Sequence, residues 1–147
     1  MITNVSIASI FCLDLDETRD FYVDVLGFEP GDDISFGDYR WVTVKHPAQP
    51  ELSLHITTPG PPLDDGLADA IRTSLAAGTM TGLGVTVDDC RRTFEELSAK
   101  GVTFLQEPAD RPYGVEAVMR DVAGNWLVLV EQKEFSPADF EDFSFDE

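Results

Sequence analysis

At 147 residues, 43% apolar and 10% aromatic, the chain has the size and composition of one globular domain with a buried core. Its formal charge of −18 argues against a nucleic-acid partner, whose phosphates call for Lys and Arg, and against an anionic membrane surface. No apolar run approaches the roughly 20 residues that span a bilayer, and no Lys or Arg precedes the apolar N-terminal stretch as in a secretory signal, so a cytoplasmic protein is expected.

Two isolated thiols, Cys12 and Cys90, suit a reducing compartment and lack the close Cys or His neighbours of a zinc site. Each reads as a small buried hydrophobe. Solubility or adaptation to high salt is the plainer account of the acidity. A field of that sign would also draw in a cationic drug or a metal ion.

Residues 5–13 are apolar and rich in β-branched side chains, the pattern of a buried strand. Asp14 follows as a helix N-cap, with Glu17 placed for a capping box. The helix puts Phe21, Tyr22, Val25 and Leu26 on one face, and Gly27 ends it. Strands are predicted over 28–35, 39–46 and 51–58, with turns at Gly37-Asp38 and at HPAQP. A linker helix is predicted over 63–77, capped by Asp64 or Asp65, with Leu67, Ile71 and Leu75 as its apolar stripe. The same order then recurs. Residues 81–87 form a strand, Asp88 caps a helix carrying Cys90, Phe94 and Leu97, and Gly101 closes it. Strands follow over 102–106, 113–121 and 126–132, the last two joined by a Gly124-Asn125 turn. Asp14 precedes Gly27 by the same 13 residues that separate Asp88 from Gly101, which marks 5–58 and 79–132 as two copies of one unit. Residues 133–147, KEFSPADFEDFSFDE, form an acidic tail with Phe135, Phe140, Phe143 and Phe145. The tail is either disordered or docked on a partner subunit. Docking is preferred, since four phenylalanines in water are an apolar liability.

Two phrases carry a family resemblance. DLDETRDFYVDVLGFE, residues 14–29, resembles the segment that opens modules of the glyoxalase/bleomycin resistance protein/extradiol dioxygenase (vicinal oxygen chelate) superfamily. RDVAGNWLVLVE, residues 120–131, resembles the final strand of such a module, and EPADRPYGVEAVMRD the approach to it. The resemblance spans about 5–132. It implies an α+β fold in which two tandem βαβββ modules form a curled mixed/antiparallel sheet around a cleft, helices outside, with residues 1–132 as a single domain.

Metal-dependent members of the superfamily hold a divalent ion in that cleft with His and Glu from the first and last strands of each copy. The ion polarises vicinal oxygens of the substrate. Carried onto this chain, the four positions fall on Ile7, Leu54, Gly82 and Val128, none of them a ligand. His55, beside Leu54, is the strongest objection, because a one-residue shift of its strand would turn it to the cleft. Glu107, Glu116 and Glu131 could supply oxygens, although Glu131 is odd-spaced from Val128 and should face away.

The cleft candidates for ligand binding are His55, Trp41, Tyr113, Glu116, Arg120 and Trp126. On a regular strand Glu116, Val118 and Arg120 share one face, and Tyr113, Val115 and Ala117 the other. Solvent exposure is the plainer reading of the Glu116/Arg120 pair, and packing that of either Trp. The expectation is a cytoplasmic homodimer that binds a small organic molecule, a cationic one suiting its charge, without metal or other cofactor. A metal-dependent lyase, isomerase or dioxygenase is the alternative. A non-catalytic interaction module using the Phe-rich tail is a further one.

Overall fold

The computed structural model describes residues 1–145; Asp146 and Glu147, the end of the acidic tail, lie outside the described residues. The first module runs β1 (Ile7–Phe11), α1 (Leu15–Asp20), a π turn (Phe21–Val25), β2 (Glu29–Phe36), β3 (Tyr39–Lys45) and β4 (Ser53–Thr57). A linker helix, α2 (Asp65–Ala77), leads to the second module: β5 (Met80–Thr86), α3 (Cys90–Ala99), β6 (Thr103–Arg111), β7 (Gly114–Arg120) and β8 (Asn125–Gln132). The sheets have matching orders, β1-β4-β3-β2 and β5-β8-β7-β6. In the first, β1 pairs parallel with β4 while β4–β3 and β3–β2 are antiparallel. The fold is therefore α+β, built of two tandem βαβββ modules with mixed four-stranded sheets. Among the described residues, 1–82 with 121–125 form one compact unit, and 83–120 with 126–145 the other.

Alternation along the strands builds the first unit's core. Ile10, Val42, Val44, Leu54 and Ile56 are all buried, and α1 packs on β3 and β4. The Asp14 carboxylate accepts from the Glu17 amide at 2.9 Å, so the predicted N-cap is in place. The second module differs by one residue. Asp89, not Asp88, caps α3, accepting from the Arg92 amide at 3.0 Å. Cap to terminal glycine is thus 12 residues in the second copy against 13 in the first. The π turn accounts for the difference, since its i→i+5 bond from the Leu26 amide to the Phe21 carbonyl, 3.2 Å, takes up one extra residue. Gly27 and Gly101 both have φ above +80°, as helix-ending glycines do.

In α2, Asp64 is the cap, and the buried stripe is Ala68, Ile71 and Leu75. Leu67 is 47% exposed, so the stripe begins one residue later than predicted. In the second module β6 runs on to Arg111 through two register shifts. It tolerates Pro108 because it is an edge strand. Tyr113 consequently sits in the β6–β7 turn and not on a strand.

The Asp121–Asn125 turn belongs to the first unit. Asp121, 4% exposed, accepts from the amides of Ala123, Gly124 and Asn125 at 2.9–3.0 Å, from the Tyr22 hydroxyl at 2.7 Å and from Asn125 Nδ2 at 3.0 Å. Asn125 Nδ2 also donates to the Phe11 carbonyl at 2.9 Å, tying this turn to β1. A buried carboxylate is tolerable only with such full satisfaction. The acidic tail is described as far as Phe145. It carries a 3-10 turn (Pro137–Phe140), and Phe140 stacks on Tyr113 of its own module.

Candidate functional site

In the first sheet the face turned away from the core carries Ile7 and Ser9 of β1, Tyr39, Trp41 and Thr43 of β3, and Ser53 and His55 of β4. The ladder fixes this, since residues paired in register share a face: Ser9 with His55 and Thr43 with His55. Leu54 pairs with Ala8, points into the core and is 5% exposed. Leu54, the position reached by counting along the family pattern, therefore lies on the core face, and His55 stands on the face of Ile7.

His55 is almost enclosed, 9% exposed. Its Nδ1 lies 3.2 Å from Ser9 Oγ and its Nε2 3.1 Å from Tyr39 Oη. Its ring stacks on Trp41 with centroids 4.1 Å apart and planes 20° off parallel. Burial lowers its pKa below the ordinary histidine value, so the ring is neutral at pH 7. A neutral imidazole has one donor and one acceptor nitrogen, so one hydroxyl donates to it and the other accepts. Trp41 is itself held by an indole N–H bond to Asp32 Oδ2, 3.3 Å. Around this group the face is apolar and open, with Ile7, Ile34 and Phe36 each roughly half exposed.

In the second unit β7 and β8 pair Glu116 with Val130, Val118 with Val128 and Arg120 with Trp126, so these six share one face. The opposite face carries buried Ala117, Met119, Leu127 and Leu129. The Tyr113 hydroxyl donates to Glu116 Oε2 at 2.5 Å, which brings Tyr113 to Glu116's side and not to that of Val115 and Ala117 as predicted. Arg111 Nε lies 3.5 Å from Glu116 Oε1, with both side chains under 20% exposed. Burial, then the Glu116 bond, raises the Tyr113 pKa to about 12. Arg120 and Trp126 pair farther along that face. Two of the six predicted residues, His55 and Trp41, are thus in direct contact, and two more, Tyr113 and Glu116, are joined by a hydrogen bond.

Sequence reasoning missed Ser9, Tyr39 and Arg111. Two-residue periodicity was the available signal for the first two: Ser9 shares a face with Ile7, and Tyr39 with Trp41. Arg111 had none, because its strand was expected to stop at residue 106.

The donors do not suit a divalent ion. Ile7 and Leu54 are aliphatic and on opposite faces, and the hydroxyls of Ser9 and Tyr39 occupy both nitrogens of His55. Val128 offers no donor. Glu131 turns away as expected, its carboxylate accepting from the Cys90 amide at 2.9 Å at the start of α3. Among the described residues no group of three or more His, Cys, Asp or Glu could hold a metal.

The model of the Glyoxalase/Bleomycin resistance protein/Dioxygenase superfamily matches residues 4–129. An uncharacterized protein, YurT of Bacillus subtilis (strain 168), is 30% identical over 129 residues, 87% of this chain and 98% of its own. The crystal structure of UcmS2 superposes with a TM-score of 0.80 at 38% identity, covering 90% of this chain and 100% of that one. TnmS3, an antibiotic binding protein from Streptomyces sp. CB03234, superposes at 0.72 with 25% identity, covering 90% and 98%.

Proposed function

The chain belongs to the glyoxalase/bleomycin resistance protein/dioxygenase superfamily, and from that premise we propose that it binds a small organic molecule without a metal. The observation that carries this reading is the His55 group. A neutral imidazole, an indole face and two hydroxyls are fixed in place on an apolar, open sheet face. Binding sites are typically apolar surfaces with a few placed polar groups. The antibiotic-binding character of TnmS3 points the same way. The net charge of −18 favours a cationic guest through the long-range field. In this reading Trp41 supplies a stacking surface, and His55, Ser9 and Tyr39 exchange part of their mutual hydrogen bonding for bonds to the ligand. Glu116, Arg120 and Trp126 are the candidates from the second module.

The test is a thermal-shift panel of cationic antibiotics and small metabolites on metal-stripped protein. A ligand at about 100 times its Kd stabilises the native state by about 2.7 kcal/mol, a rise of roughly 5–10 °C in Tm at this chain length. Trp41→Ala and His55→Ala should reduce the shift. A panel with no shift, or a shift that needs added divalent metal, refutes the reading. A lyase, isomerase or dioxygenase role would instead require stoichiometric micromolar binding of Ni, Zn, Mn or Fe(II) by the stripped protein.

A further inference from the structure

The tail extends beyond the family match, which ends at residue 129. UcmS2 is covered over its full length by 90% of this chain. Within the second unit the tail does not hang free. The Lys133 amide bonds the Tyr113 carbonyl at 3.1 Å, and Phe140 stacks on the Tyr113 ring with centroids 6.2 Å apart and planes 18° off parallel. Phe143 and Phe145 sit 5.8 and 5.2 Å from the Arg111 guanidinium carbon. Phe135, Phe140, Phe143 and Phe145 touch edge to face in succession, so the tail's rings form one ladder. A capping box between Ser136 and Asp139 sets the turn that presents Phe140.

Beneath the ladder lie Arg111, Tyr113 and Glu116, a cation, a phenol and a carboxylate joined to one another and mostly buried. Beside it is an open cavity of about 380 Å³ lined by Tyr113, Val130, Gln132, Lys133 and Phe135. Both surfaces of the contact are suited to π systems, since a guanidinium and a phenol ring each attract an aromatic face. The hold is partial: Phe135 and Phe145 remain 59% and 65% exposed. A segment with few buried contacts opens more readily than the sheet it covers.

The geometry points to residues 133–145 being an intramolecular strap, a built-in occupant of the Arg111–Tyr113–Glu116 surface that an aromatic ligand must displace. This rests on the small-molecule reading above and adds a regulator to it. While Phe140 and Phe143 are seated, Arg111 and Tyr113 are already engaged, and an incoming aromatic molecule competes with a group tethered a few residues away. The high effective concentration of a tethered competitor lowers apparent affinity without altering the surface itself.

The test uses the full chain and 1-anilinonaphthalene-8-sulfonate as the aromatic probe, comparing wild type with Phe140→Ala/Phe143→Ala. The double variant should bind the probe at least five-fold more tightly, and a synthetic peptide of residues 133–147 added in trans should reverse the gain. Adding Arg111→Ala to the double variant should abolish it. Unchanged probe affinity in the double variant overturns the strap, as does a gain that survives Arg111→Ala or ignores the peptide. Circular dichroism melts of each variant separate a released strap from a damaged fold, since a lower Tm with the same probe affinity also counts against it. The panel of the preceding subsection fails or succeeds independently of this comparison, because the probe needs no physiological ligand.

Discussion

Tyr22→Phe isolates one bond of the Asp121 turn. The Tyr22 ring is fully buried, and its hydroxyl donates to Asp121 Oδ2 at 2.7 Å. Burial and the adjacent carboxylate push the phenol's pKa well above its ordinary value, so it is a donor at every accessible pH. Phenylalanine keeps the ring and its edge contacts with Phe21 and Phe28, so no cavity larger than the hydroxyl opens. Asp121 keeps its three backbone donors and Asn125 Nδ2. The loss is therefore one hydrogen bond to a charged acceptor, about 1.5–3 kcal/mol. For a chain of this size that lowers Tm by roughly 3–12 °C. Urea melts followed by circular dichroism should show a lower midpoint at unchanged slope. A loss under about 0.5 kcal/mol would refute the reasoning, because it would mean that water replaces the hydroxyl and that the carboxylate is not sealed. The turn also holds the Phe11 carbonyl, two residues from Ser9, so the variant should weaken the panel ligand's binding as well.

Asp89→Ala should cost about 1 kcal/mol through loss of the α3 cap while Asp88→Ala stays near neutral; equal costs in urea melts would contradict the cap assignment. For His55, whose folded pKa is depressed, stability is fully present above the unfolded value near 6.5 and is lost as pH falls through the folded pKa. Wild type should therefore lose more stability than His55→Gln between pH 7.5 and 5, and parallel curves would refute this. Cys12, pushed to about 11 by burial, and Cys90, also raised by burial, should resist a thiol reagent in the native state and react on unfolding. Gly124→Ala should destabilise by about 1–3 kcal/mol, since its φ is +103° and a Cβ would meet the Leu75 carbonyl; an unchanged urea midpoint would refute it.

The sequence by itself determined what is local and periodic. Strand alternation, helix-ending glycines and the duplicated order were enough for the two βαβββ modules. The phrases around Phe21-Tyr22 and Gly124-Asn125 were enough for the family. Local signals put the α3 cap on Asp88, one residue before the Asp89 that serves. They were blind to the π turn, which made two unequal helices look equal in length. Only tertiary structure decided the face of His55, because strand parity inverts with a one-residue error and the register comes from pairing β1 with β4, 46 residues apart at Ser9 and His55. The same holds for Tyr22 and Asp121, 99 residues apart. It holds too for the tail, whose phenylalanines could be read as an apolar liability but whose resting place depended on where Arg111 and Tyr113 were put by a strand longer than its composition suggested. Hydrophobic pattern specifies which residues leave water, whereas the partner each one meets is set by contacts that exist only once distant segments have paired.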